Sequence, residues 1–178
     1  MKELNILMPQ GLITLGQGVS VAPDLATFKP VQKVSLYADP LSWLILEAVE
    51  QAIGEHLDAI LSASPSVGHI AISDHCTLHT MRAIAKTIPS GHISPLRFSG
   101  ACPGMICSLP SQFLKFSGPS IVFSMPPESA LPYAAVLARA WLHEHLATHV
   151  IITVHAMDAS GHRIISTVVT DNSREMPQ

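Results

Sequence analysis

Residues 118–155 read GPSIVFSMPPESALPYAAVLARAWLHEHLATHVIITVH, and this stretch decides the fold class. Ser120-Ile121-Val122-Phe123 follows a Gly-Pro pair and is β-rich, which predicts a short strand. Pro126-Pro127-Glu128 places two prolines and an acid where a helix would begin. There proline lacks an N–H that has no partner anyway, and glutamate faces the positive end of the helix dipole. A helix is therefore expected over residues 128–145. Residues 148–155, THVIITVH, are apolar almost throughout, the pattern of a strand covered on both faces. A strand, a helix and a buried strand in succession point to an α/β protein.

The same alternation extends outward. Downstream, Asp158-Ala159-Ser160-Gly161 reads as a turn, residues 163–170 (RIISTVVT) as a last strand, and residues 171–178 as a polar, frayed tail. Upstream, residues 67–72 (VGHIAI) predict a buried strand, and residues 78–88 a helix that stops before Pro89. A further helix is expected over residues 109–116, starting near Pro110. Trp43, Leu46, Val49 and Ile53 recur at helical spacing, so residues 42–53 predict a helix with Gly54 at its end. Residues 34–37 are briefly strand-like. The apolar runs 4–8 and 12–15, set around Pro9-Gln10-Gly11, predict a strand pair or a bent strand. No repeat or linker interrupts the chain, so residues 1–170 are expected to form one domain.

Composition bounds the function. The chain has 178 residues, of which 10 are Lys or Arg and 13 Asp or Glu. That 13% charge is near half the roughly 25% of a typical soluble domain. A compact chain of this mass exposes about 8,400 Å², so the surface is sparsely charged, and part of it is expected to be covered by something other than solvent. Hydrophobic residues at 48% and a mean hydropathy of +0.36 exclude disorder. A net charge of −3 and a pI near 6.3 argue against nucleic acid as a partner. The sequence has no run of 18 apolar residues, so no membrane-spanning helix is expected. MKELNILMPQG has Glu3 and Asn5 where a signal peptide would be apolar, so the cytoplasm is the expected location. Cys76, Cys102 and Cys107 cannot all pair, which suits a reducing compartment.

Ten histidines invite a metal or acid–base reading. His143, His145 and His149 make H-x-H-x₃-H, but no H-E-x-x-H exists, and imidazoles ending a helix also suit its dipole. His75-Cys76-x-x-His79 with Cys102 and Cys107 matches zinc spacing loosely, and burial as core residues is the simpler reading. Gly16-Gln17-Gly18 begins a G-x-G-x-x-G, yet Val21 stands where its third glycine belongs, so no nucleotide is expected. Cys102 lies near a turn without an assignable histidine partner. These residues complete no catalytic constellation, and neither cofactor nor metal is expected.

Several strings match a known family in order. They are Ser94-Pro95-Leu96-Arg97-Phe98, Gly118-Pro119-Ser120-Ile121-Val122-Phe123, Ser129-Ala130-Leu131 leading into Tyr133-Ala134-Ala135, and Thr148 to Val154 with Asp158. In this the chain resembles the β-ketoacyl synthases of the thiolase-like superfamily. The helix over residues 42–53 and the strand over residues 67–72 resemble earlier elements of that family. The resemblance spans most of residues 1–158 and is specific from Ser94 onward. It implies one thiolase-like half, layered α-β-α, with a mixed sheet that extends across a dimer interface.

Counted from Gly118, the family's nucleophilic cysteine would fall at Pro127, or at Glu128 if the register slips by one. A condensing reaction needs a thiolate to carry the acyl group and histidine-type donors to stabilise the enolate. Neither can be assigned, so the resemblance implies no catalytic residue, like the inactive chain-length factors that pair with an active ketosynthase. Partners of that kind occur in type II polyketide and aryl-polyene systems, within chemistry related to fatty acid synthesis. The strand before the elbow then pairs across the two-fold axis. Carried over, the interface is Phe113, Phe116, Ser120, Ile121, Val122, Phe123, Ser124, Met125 and Pro126. The expected partners are an active ketosynthase subunit and, through the complex, acyl carrier protein. Two other readings stand beside this one: an acyl-thioester decarboxylase or hydrolase using Glu128 or Cys102, and an unrelated α/β structural homodimer.

Overall fold

A computed structural model describes residues 12–29, 37–63, 66–91 and 94–171. Within them, β1 (Leu12–Ala22), β2 (Val67–Ile72), β3 (Ser120–Phe123), β4 (His149–Asp158) and β5 (Gly161–Asp171) form one sheet, in the spatial order β1-β5-β4-β2-β3. β2 runs parallel to β3 and β4, whereas β5 is antiparallel to both β4 and β1. The helices are α1 (Pro40–Ile53), α2 (Leu57–Ser62), α3 (Leu78–Thr87), α4 (Pro95–Ala101), α5 (Met105–Leu114) and α6 (Pro127–His143).

Strand alternation sorts the core into two compartments. Val67, Ala71, Ile151, Ile164 and Val168 share a cluster with Leu44 and Ala48 of α1 and Ile106 of α5. Ile70, Ile72, Val150, Ile152, Val154 and Val169 cluster instead with Ala130, Ala134, Ala138 and Trp141 of α6. The architecture is α-β-α, with a mixed sheet in the middle, and every residue of β2 is buried.

β1 sits close against α1 because its inward residues are small. A side chain at Gly16 would collide with the Ala52 carbonyl oxygen, and one at Gly18 with that of Ala48. The Ser20 hydroxyl donates to the Leu44 carbonyl at 2.5 Å. Two strand residues advance about 6.6 Å and four helical residues about 6 Å, so residues 16, 18 and 20 stay in step with residues 52, 48 and 44. The glycine pair that resembled a phosphate loop is thus a strand segment shaped for close helix packing.

Asp39 caps α1 and ties it to α3. Its Oδ1 accepts the Leu41 N–H at 2.9 Å and its Oδ2 the Thr80 N–H at 2.9 Å, with the residue fully buried. Asp39→Ala would strand both donors, each worth about 1–3 kcal/mol when left unsatisfied. A loss of about 2–4 kcal/mol is expected in urea unfolding, whereas Asp39→Asn keeps an acceptor and should cost less.

The buried strand over residues 67–72 and the short strand over residues 120–123 have the bounds read from the sequence. Other elements differ. β1 continues through Gly16 and Gly18 to Ala22 as one strand, with a register shift between Thr14 and Gly16. The run 4–8 lies outside the described residues, as do residues 34–36 and 172–178. α5 begins at Met105, five residues before Pro110, so that proline sits inside the helix rather than near its start. β5 runs from Gly161 to Asp171 between β4 and β1, which makes it a central strand. None of the helices described is long and apolar enough to cross a membrane.

Candidate functional site

The carboxyl ends of β2, β3 and β4 lie at one end of the sheet, together with the start of β5. In open α/β sheets, ligands bind outside the carboxyl ends of the strands. Beside this end lies a cavity of about 450 Å³, lined among others by His75, Cys76, His79, Arg82, Met157 and His162.

A chain of polar side chains runs into it. Ser73 follows β2 directly, and its Oγ accepts the backbone N–H groups of Cys76 (2.8 Å) and His75 (3.2 Å). With both lone pairs engaged, the Ser73 hydroxyl donates to His155 Nδ1 at 2.8 Å. The proton of His155 then sits on Nε2 and is donated to His162 Nδ1 at 2.9 Å. His75 Nδ1 lies 2.6 Å from Asp74 Oδ1. Burial, reinforced by the neighbouring His162 and His75, lowers His155 to about 4, against a smaller opposing effect of Asp74. His162 is lowered for the same first reason, burial, with His75 second. Ser73 is wholly buried and holds a turn, so the Ser73–His155 pair is a structural contact rather than a nucleophile with its base.

A second polar ladder crosses the same face of the sheet. His69 Nε2 lies 3.0 Å from Thr153 Oγ1, which is 2.9 Å from Ser166 Oγ. Burial lowers His69 to about 4, offset in part by the Cys107 backbone.

Cys76 stands at φ 44, a left-handed conformation, on the strand-to-helix turn between β2 and α3. Its thiol donates to the Ser73 carbonyl at 3.1 Å and lies 3.5 Å from Ser124 Oγ, joining the turn after β2 to the turn after β3. Burial is the chief reason its pKa is raised, so the thiol stays protonated and is a poor nucleophile at neutral pH. Cys107 is buried too, donates to the Ile121 carbonyl at 3.3 Å, and is pushed up to about 12 by burial.

The positions that the resemblance would assign to the elbow, Pro127 and Glu128, lie at this same end. Pro127 is buried as the first residue of α6, and Glu128 is exposed in its first turn. On β3, Ser120 and Ile121 are exposed, while Val122 and Phe123 are half-buried. Ser124 and Pro126 are exposed, and Met125 is half-buried. Phe113 is half-buried against Trp43, Leu46 and Leu109. Phe116 lies inside the core of this chain, so it offers almost no surface. Cys102 is exposed at the end of α4; neither it nor Glu128 lines the cavity.

The loose zinc spacing of the sequence does not assemble. His75, Cys76 and His79 reach the cavity, but Cys102 and Cys107 do not. His143 ends α6, His145 follows in a left-handed turn and His149 opens β4, and none of them lines the cavity. The residues that do converge, Asp74, His155 and His162 beside His75, were not singled out in the sequence. Their signal is a histidine on the inward phase of an apolar strand, as in THVIITVH, where apolar packing alone would select valine or isoleucine.

No protein-family model and no curated protein matches the chain. Solved structures do. The ketosynthase ApeO in complex with its chain length factor ApeC from Xenorhabdus doucetiae matches with a TM-score of 0.62 at 10% identity, covering 92% of this chain and 80% of that one. The ishigamide ketosynthase/chain length factor matches with a TM-score of 0.70 at 12% identity, covering 94% of this chain and 64% of that one. The AntDE ketosynthase in complex with its acyl-carrier protein AntF matches at 0.64 and 14% identity, covering 92% and 63%. The chain therefore spans less than two thirds of the length of the last two. At such identities the likeness is one of fold: the layered α/β arrangement found in these ketosynthase structures.

Proposed function

We propose that this chain is a non-catalytic ketosynthase-like subunit that pairs with an active β-ketoacyl-acyl-carrier-protein synthase, stabilises it and influences the length of its product. The observation that carries the reading is the combination at one sheet edge. β3 has four residues and pairs only with β2 among the described residues, so its outer backbone edge is open. The position aligned with the family's nucleophile is a buried proline. An unpaired apolar edge strand is a liability that a partner strand removes. Structural neighbours that are ketosynthase and chain-length-factor pairs support the same partner. Acyl carrier protein would be met through the complex, and polyketide, fatty acid or aryl-polyene synthesis is the chemistry served.

Ile121 is the side chain to test, because it is exposed on that edge, at 38%. Ile121→Glu should leave the fold of the isolated chain within about 0.5 kcal/mol of wild type, as for most surface changes. Co-expression with a ketosynthase encoded beside it, followed by mass measurement of the purified complex, should give a heterodimer for wild type and none for Ile121→Glu. A wild-type chain that stays monomeric and never co-purifies with a condensing enzyme overturns the proposal.

A further inference from the structure

Three imidazoles and a carboxylate meet beside the cavity, which His75 and His162 line, and they come from three separate parts of the chain. His75 and Asp74 lie on the turn after β2, His155 on β4 and His162 on β5. The ring centroids of His75 and His155 are 5.6 Å apart, those of His155 and His162 5.2 Å, and those of His75 and His162 6.5 Å. Imidazoles bound tetrahedrally to one zinc ion, with Zn–N near 2.0–2.1 Å, have centroids about 5 Å apart. Asp74, His75 and His155 each place a ligand atom within 4.8 Å of the others.

We propose that His75, His155, His162 and Asp74 form a binding site for one divalent transition-metal ion of the zinc class. Two of the contacts described above are pairs of lone-pair atoms, Asp74 Oδ1 with His75 Nδ1 at 2.6 Å and His155 Nε2 with His162 Nδ1 at 2.9 Å. In the metal-free chain one proton bridges each pair. A metal ion displaces these bridging protons: each ring shifts its proton to the nitrogen away from the metal, and at His155 the Ser73 hydroxyl turns from donor to acceptor of the Nδ1–H, giving up its longer 3.2 Å bond from the His75 N–H. Freedom is distributed suitably for that. His155 is fully buried, and Ser73 Oγ, 2.8 Å from its Nδ1, would accept the Nδ1–H of the metal-bound ring and so fix its orientation. Asp74 is exposed and His75 half-exposed, so they can close around an arriving ion. Three nitrogens with one oxygen favour zinc, cobalt or nickel over magnesium or calcium, which prefer oxygen shells.

Such an ion would bind the turn that carries Ser73 and Cys76 to the β4–β5 hairpin. The site does not depend on pairing with a ketosynthase, so either proposal can fail alone. The test uses the 178-residue chain with Cys102→Ser as background, to remove the exposed thiol. Zinc chloride titrated calorimetrically into chelator-treated protein at pH 7.5 should bind one equivalent. Cobalt chloride should give the intense visible bands of a tetrahedral complex. His75→Ala and Asp74→Asn, both at accessible positions, should each weaken zinc binding at least tenfold while circular dichroism stays that of wild type. His143→Ala, which alters the separate histidine string at the end of α6, should change nothing. Absence of stoichiometric zinc binding overturns the site. So does binding that His75→Ala and Asp74→Asn leave intact or that His143→Ala removes.

Discussion

Gly18→Val is expected to be the most damaging single change on the face of β1, leaving the chain largely insoluble or unfolded at 25 °C. A Cβ at Gly18 meets the Ala48 carbonyl oxygen, the Ala52 backbone nitrogen at 2.6 Å and Gln51 Cβ at 2.7 Å. Backbone atoms of a helix cannot swing aside as a long side chain can. β1 must therefore leave α1, which opens the compartment holding Ala48, Ala52 and Ile164. Overpacking of a core costs about 1–3 kcal/mol where side chains can adapt; without that route, more than about 3 kcal/mol is expected, out of a total stability of about 5–15 kcal/mol for such a domain. Val21 lies on the opposite phase of the same strand and is 66% exposed. Val21→Thr should therefore stay within about 0.5 kcal/mol of wild type in urea unfolding. Equal stability of Gly18→Val and Val21→Thr would mean that β1 does not pack on α1 in this way.

Acid is expected to destabilise the protein, and the window follows from His69. Its pKa is about 4 in the folded chain, against 6.5 for an exposed histidine. Above pH 6.5 both folded and unfolded states hold it neutral, and its stabilising effect is complete. As pH falls from 6.5 to 4 the unfolded chain takes up a proton that the folded chain refuses, and stability declines at about 1.4 kcal/mol per pH unit. The loss from this one residue is about 2 kcal/mol at pH 5 and about 3 kcal/mol at pH 4. The groups packed on His69 do not offset it, because Thr153 is neutral and Cys107, held near 12, stays a thiol throughout. His155, lowered by the same burial, adds in the same direction. Urea midpoints measured with a chelator present at pH 7.5 and 5.0 test this, and His69→Gln should reduce the difference. A midpoint that is flat from pH 7.5 to 5.0 would show that His69 is solvated.

The strands and helices that bury on all sides were legible because each carries its own period or its own unbroken apolar run. VGHIAI, buried throughout, could be bounded to the residue, and so could the partly exposed SIVF, because a Gly-Pro pair precedes it. The helix after Pro127 was legible for a different reason, since paired prolines and an acid fix where a helix can start. β1 was legible only over residues 12–15, because its later inward positions are Gly16, Gly18 and Ser20, which carry no hydrophobic signal. They are small only because α1 lies against them. α5 was started too late because Pro110 suggested a first turn, whereas the helix accommodates it at its sixth residue.

The open edge of β3 follows from its four residues and from its place at the end of the strand order. The sequence marks its length but not its position. Likewise Pro127 could be read as lacking a nucleophile, yet its burial at the start of α6 required the packed chain. The histidine cluster was wholly hidden, since residues 74, 75, 155 and 162 have no spacing that links them. They meet because β4 and β5 are joined by a tight turn and β4 pairs with β2 in parallel, which brings the strand ends together.

Composition and local pattern thus determined the α/β class and a surface poor in charge, while the α-β-α layering was implied by the resemblance. Those properties depend on which residues seek apolar surroundings, and that preference is written along the chain. Tertiary structure alone decided which edge stays open, which glycines are packing contacts and which histidines converge. Such features arise from distances between residues far apart in sequence, and they exist only once the sheet order has been set.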